Sequence, residues 1–282
     1  MKEQISSFIV CFSACILGFA SPAVTARTIW VCQYCEPYMH PNTDSINAAL
    51  ALADPGDTVC IVAEENPVAS ADIIQYAEHI VLDKPVTLTC TEHHPVLGPP
   101  ILTLTTFDGV NEVIHVTDKA AGAVISNLRI QGPPTDNTPC VGNPLDHRTK
   151  RAGIRIDAAG TSVKSCIITH CMTGIVISAD AGVSIVNCTI GDRWIDTISG
   201  MIGIEEHWTD SHNGQPIRHP GNGFGIVVLP VESPANGQKK DRIDSPHCIR
   251  ETTIRSSRYN SLVIPDNAGI IQENNQLEFN KH

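Results

Sequence analysis

Apolar and small side chains fall at every second position in a phrase that returns along the second half of this chain. It reads Val-Ile-Ser-Asn-Leu-Arg-Ile at 124–130, Val-Lys-Ser-Cys-Ile-Ile at 163–168 and Ile-Val-Asn-Cys-Thr-Ile at 185–190. Weaker copies are Ile-Arg-Glu-Thr-Thr-Ile at 249–254 and Ile-Gln-Glu-Asn-Asn-Gln-Leu at 271–277. A period of two over so few residues predicts short strands, and their recurrence predicts stacked repeats. Cys166 and Cys188 stand where Leu128 stands, which predicts an interior row, since buried cysteine behaves as a small hydrophobe. Asn127, Ser165, Asn187 and Asn274 match in register and predict a turn ladder that satisfies backbone groups.

A second class of strand interleaves with the first: Gly153-Ile154-Arg155-Ile156, Gly174-Ile175-Val176-Ile177, Gly225-Ile226-Val227-Val228 and Ser261-Leu262-Val263-Ile264. Gly153 to Gly174 is 21 residues, Ile168 to Ile190 is 22 and Ile254 to Leu277 is 23. A coil of that length carrying two or more strands is what a parallel β-helix requires. Upstream, one helix is expected over 42–54, with Asn42-Thr43-Asp44 as N-cap candidates and Pro55-Gly56 as the stop. Its stripe is Ile46, Ala49, Leu50 and Ala53. Strands are expected at 58–62, 80–82, 84–90, 101–104 and 113–116.

The opening Ser45-Ile46-Asn47-Ala48-Ala49-Leu50, then Asp54-Pro55-Gly56-Asp57-Thr58-Val59 and Lys84-Pro85-Val86-Thr87-Leu88, resembles the start of the right-handed parallel β-helix, pectin-lyase-like superfamily. The resemblance covers roughly 43 to 277. It implies an all-β solenoid whose N-terminal end is covered by the 42–54 helix. No equivalent cap follows the last phrase, so self-association at the C-terminal end is an expectation.

Residues 1–26 read as a secretory signal peptide: Lys2 near the start, an apolar run from Ile5 to Ala20, and Val24-Thr25-Ala26 before the cut. The expected location is outside the cytoplasm, either secreted or in the periplasm or cell envelope. Residues 27–112 would hold the cap and first coils, and 113–282 the remaining coils. No other segment is long and apolar enough to span a membrane. The net charge of −11, with no Lys/Arg cluster, argues against a nucleic-acid partner. It also repels polyanionic sugars unless a basic patch or bound cation reverses the sign locally. Of eleven cysteines, nine lie beyond residue 26, and export permits disulfides. Cys32-x-x-Cys35 lacks a second pair at zinc spacing, so a local bridge, or pairing with Cys60 or Cys90, is expected.

Three stretches break the repeat: 131–152, 191–224 and 230–247. The first two leave after Ile130 and Ile190, equivalent points of the coil with one phrase between them. Stacking at ~4.8 Å per coil puts the two exits ~10 Å apart on one flank, with Thr169-His170-Cys171-Met172 between them. That register predicts a groove. The 191–224 insertion brings Asp192, Arg193, Trp194, Asp196, Glu205, Glu206, His207, Trp208, Asp210, His212, Arg218 and His219; the first adds Asp136, Asp146, His147, Arg148, Lys150 and Arg151. Trp194 and Trp208 could stack on sugar rings, and Arg148 could hold an acidic one. Equally, solenoid loops are polar because water solvates them, and the tryptophans could serve a small loop core.

Hydrolases of this fold that act on pectin carry an adjacent Asp-Asp and a Gly-His-Gly, and neither string is present. Lyases of the fold pair a basic residue with carboxylate-bound calcium. The resemblance therefore points to Arg193 or Arg151 as base, His170 or His207 assisting, and Asp192 and Asp146 as charge or calcium partners. Asp192, Asp196 and Asp210 are the metal candidates, with calcium the implied ion. His207, His212 and His219 are too irregularly spaced for a zinc motif, and His115, among apolar neighbours, is expected in the core. Two functions compete: an enzyme acting on uronate polysaccharide, and a non-catalytic surface module using the solenoid as platform or spacer.

Overall fold

The computed structural model describes residues 25–32, 42–62, 75–91, 99–105, 107, 109–132, 151–178, 182–191, 208–209, 216–217, 224–229, 246–254, 260–265 and 269–277. The strands form three all-parallel sheets, here A, B and C, which the chain visits in that order on each circuit. Before the first circuit come β1 (Thr28–Val31), β2 (Asn42–Thr43) and α1 (Ile46–Leu52). The first circuit is β3 (Thr58–Ile61) in A, β4 (Gln75–Ala77) in B and β5 (Ile80–Leu82) in C. The second is β6 (Thr87–Cys90), β7 (Ile101–Thr103) and β8 (Glu112–Val116), and the third is β9 (Val124–Ser126), β10 (Arg129–Gln131) and β11 (Ala152–Ile156). The fourth is β12 (Ser162–Lys164), β13 (Ile167–Thr169) and β14 (Thr173–Ile177). The fifth holds β15 (Ser184–Val186), β16 (Thr189–Ile190), a hairpin of β17 (Trp208–Thr209) and β18 (Pro216–Ile217), and β19 (Phe224–Val228). The sixth is β20 (His247–Arg250), β21 (Thr253–Ile254) and β22 (Asn260–Val263), and β23 (Ile270–Glu273) and β24 (Gln276–Leu277) begin a seventh.

Register explains why the phrases recur. In sheet A, Val59, Leu88, Ile125, Val163, Ile185 and Ile249 are successive partners. In sheet B the row is Tyr76, Leu102, Ile130, Ile168, Ile190 and Ile254. In sheet C it is Ile80, Ile114, Ile154, Ile175 and Ile226. Every one of these side chains is buried and belongs to one core. Each contributes ~1.5–3 kcal/mol by leaving water, so the aliphatic rows carry most of the cohesion of the stack.

The interior row Leu128, Cys166 and Cys188 is present, with both thiols buried. So is the turn ladder. Asn127, Ser165, Asn187, Glu251 and Asn274 hold φ of 57°, 50°, 52°, 49° and 53°. Asn tolerates that left-handed region better than most side chains, and here it also links circuits: the Asn187 amide donates to the Ser165 hydroxyl at 3.1 Å.

The helix differs from expectation at its start. Asn42–Thr43 pairs with β1 as a strand, and Ser45 is the N-cap, its side chain accepting from the Ala48 N–H. Glu78 completes the cap, accepting from Ile46 N–H at 3.0 Å, Asn47 N–H at 3.0 Å and the Ser45 hydroxyl at 2.9 Å. A carboxylate there also meets the positive end of the helix dipole. Ile46, Ala49, Leu50 and Ala53 are buried as the stripe requires, and α1 packs on β1, β2, β3 and β5. Among the described residues no helix is long and apolar enough to cross a membrane.

Cys60, Cys90, Cys166, Cys171, Cys188 and Cys248 form no disulfide. Cys32 therefore pairs with neither Cys60 nor Cys90, and Cys35 and Cys140 lie outside the described residues.

Candidate functional site

The strand register from which a groove was expected is present. Ile130, Ile168 and Ile190 are consecutive partners in sheet B, so both long insertions leave the same edge with one circuit between them. They return at Ala152 and Phe224, which flank Thr173 in sheet C. The circuit between crosses from B to C with only His170, Cys171 and Met172. At this corner His170 and Arg151 both hold positive φ, 57° and 53°. Non-glycine residues in that region cost ~1–2 kcal/mol each and persist only where neighbours enforce them.

The enforcing contacts are visible. Gly132 N–H donates to Thr169 O at 3.0 Å, and Met172 N–H donates to Arg151 O at 3.0 Å. The turn of the fourth circuit is thus laid over both the exit and the return of the first insertion. Gly132 must be glycine, because a Cβ there would stand 1.9 Å from His170 O. Gly153, two residues after Arg151, is similarly confined: its Cβ would meet Gly174 O at 2.8 Å and Ile168 Cγ2 at 2.6 Å.

The structure therefore brings Arg151 and His170 to one corner on adjoining circuits. Both are half-buried. Arg193, His207, Asp192, Asp146, Trp194, Arg148, Asp196 and Asp210 lie outside the described residues. Trp208 is described only as part of the antiparallel pair β17–β18, opposite Ile217. Among the described residues no group of three His, Cys, Asp or Glu is placed to hold a metal ion.

Beside the corner, on the outer face of sheet C, lies a network that the sequence reading missed. Glu112 is the register partner of Ala152, where the first insertion returns. His115 is the partner of Arg155 and faces outward, its side chain 27% exposed, so its expected place in the core is corrected. Its Nε2 lies 2.9 Å from Asp157 Oδ2, and its Nδ1 lies 3.6 Å from Glu112 Oε1. His79 Nε2 approaches the same Glu112 oxygen at 3.5 Å. Asp157 also accepts from Arg155 Nε at 3.0 Å and from the Ser178 hydroxyl at 3.2 Å.

The hydrogen bond from His115, together with Arg155, overcomes burial and holds the Asp157 carboxyl down at about 2. Asp157 is therefore an acceptor at neutral pH, and His115 Nε2 is the donor. Hydrogen-bond donors from three circuits meet at this one carboxylate. The signal was available: aligning Val-Ile-His-Val with Gly-Ile-Arg-Ile puts His115 in the outward column of Arg155.

Compared with known proteins, the chain matches no family model, no curated protein and no solved structure.

Proposed function

We propose that this chain is an exported, right-handed parallel β-helix protein of the pectin-lyase-like kind that engages an acidic polysaccharide at the corner between sheets B and C. In this reading α1 caps the N-terminal end. The reaction is elimination: a base removes the proton α to a uronate carboxyl, and the glycosidic oxygen leaves from the β carbon. Arg151 is the base candidate and His170 its assistant, with Arg193, His207, Asp192 and Asp146 as further candidates from the second insertion and the first. Calcium, where the insertions bind it, would neutralise the uronate charge. Trp194, Trp208 and Arg148 would supply sugar contacts.

One observation carries the reading: two long insertions leave one sheet edge two circuits apart, with His170 between them and Arg151 beside it. Exits ~10 Å apart along the stack leave room between them for a single polymer strand lying across it. Arg155 faces outward on the neighbouring sheet, its guanidinium paired with Asp157.

The test is incubation with a panel of uronate polymers, with and without calcium, while following the ultraviolet absorbance of unsaturated product. Product that disappears in Arg151→Ala supports the reading. Tight binding to one uronate polymer with no product from any of them would replace the enzyme with a binding module. A specific observation favours that second reading: Asp157, His115, Arg155 and Ser178 are committed to one another across three circuits, as a stiff spacer requires.

A further inference from the structure

The N-terminal edge of the stack holds a carboxylate aimed at a backbone nitrogen. Asp57 is 1% exposed. Its Oδ1 accepts from the Arg27 backbone N–H at 3.0 Å, and its Oδ2 accepts from Arg27 Nε at 2.8 Å and from Asp54 N–H at 2.9 Å. Arg27 O in turn accepts from Thr58 N–H, which fixes Arg27 at the start of β1. Burial raises the Asp57 carboxyl, but the hydrogen bonds from Arg27 and Asp54 prevail and leave it at about 2. Thr25 and Ala26, just upstream, are exposed. The small-residue pattern Val24-Thr25-Ala26 places the expected cut between Ala26 and Arg27.

We infer that the Ala26–Arg27 bond is a processing site and that Asp57 is the receptor for the amino group that processing creates. Water hydrolyses the peptide bond: hydroxyl goes to the Ala26 carbonyl carbon, and hydrogen to the Arg27 nitrogen, which becomes an ammonium at neutral pH. The same nitrogen that donates one hydrogen bond to Asp57 Oδ1 before cleavage then carries a full positive charge against a buried carboxylate. A charge-assisted bond of that kind is roughly twice as strong as its neutral counterpart. The cut thus tightens β1 onto β3 and closes the first rung.

The inference rests on the export reading, yet it can be tested apart from it. The charged groups facing this nitrogen are Asp57, Asp54 and the Arg27 guanidinium, with Lys84 nearby, its Nζ on Ala53 O at 2.8 Å. An amino group paired with a carboxylate has a raised folded pKa. Its stabilisation is therefore present below its unfolded value, ~8, and is lost as pH rises through the folded value.

The experiment compares thermal melts of the protein beginning at Arg27 with the same protein beginning at Ala26 and with the Arg27 form acetylated on its α-amino group. At pH 6 the Arg27 form should melt ~3 °C higher, and the difference should vanish above pH 10 and in Asp57→Asn. If Asp57→Asn does not fold, the acetylated form alone decides. Equal melting of all three forms at pH 6 overturns the inference. Export is read separately from the N-terminal residue of protein collected outside its cell: a start at Arg27 supports both readings, and an intact Met1 sinks export without touching the melting comparison.

Discussion

His115 and Asp157 are 42 positions apart in sequence, yet their ring and carboxylate meet at 2.9 Å because one circuit of the stack separates them. Ser178, one circuit further on, reaches the same carboxylate at 3.2 Å. Asp157→Asn keeps the shape but removes the charge that orients all three donors. Urea denaturation should show a loss of ~2 kcal/mol, the scale of hydrogen bonds to a charged group. An unchanged midpoint would mean that these contacts ride on the stack rather than hold it.

Acid should act through two carboxylates. Asp57 and Asp157 both stand at about 2, against an ordinary value of 3.8. A depressed carboxyl stabilises the fold above its ordinary value and ceases to do so as pH falls through the folded one. Melting temperature should therefore drop as pH falls from about 4 towards about 2, and Asp157→Asn should flatten part of that slope. A variant with the same slope as the parent would show that other groups govern acid unfolding.

Backbone proximity sets a third expectation. Gly153→Ala drives a methyl against Gly174 O and Ile168, with the backbone oxygen only 2.8 Å away. The loss should be ~1–3 kcal/mol, as for other overpacked sites. Gly132→Ala is the more severe change, because the obstruction at 1.9 Å is His170 O itself. It should displace the corner, measured as lost uronate binding in protein whose far-ultraviolet circular dichroism still reports β structure.

In the turn ladder, Asn187→Gly should be tolerated and Asn187→Val should cost ~1–2 kcal/mol, since a β-branched side chain resists φ of 52°. Equal stability of the two variants would mean that the turn relaxes out of the left-handed region.

For the reaction, Arg151→Ala and His170→Ala should each lower the rate of unsaturated-product formation by ~100-fold or more, the usual scale for a lost proton-transfer group. Binding of the polymer should be weakened far less. Parallel losses in binding and rate would place both residues in substrate capture instead.

The architecture was legible because its physics is periodic. Ile130, Ile168 and Ile190 repeat in sequence since each must face the same core, and the pairing of the three follows. The left-handed turn positions could be read for the same reason, down to Asn127, Ser165, Asn187 and Asn274. Glu251 takes the same place, three residues before the final aliphatic Ile254, although its side chain differs from its ladder mates. The helix start was misplaced because Asn42–Thr43 obeys a partner, β1, that local capping signals cannot register. His115 was read wrongly for a related reason: its sequence neighbours are apolar, but its spatial neighbours are Glu112, Arg155 and Asp157. Strand neighbours were a poor guide there, and column mates would have been a good one.

Ser162 pairs with Val124 below and Ser184 above in identical fashion, although the first pair is 38 positions apart and the second 22. The whole surplus is spent at the corner after Gln131, where the ladder does not record it. Chain length at that corner is thus decoupled from the scaffold. A foreign peptide spliced between Gly132 and Arg151 would be displayed without disturbing a single rung, whereas one extra residue inside β10 or β13 would throw the rest of that strand onto the wrong face.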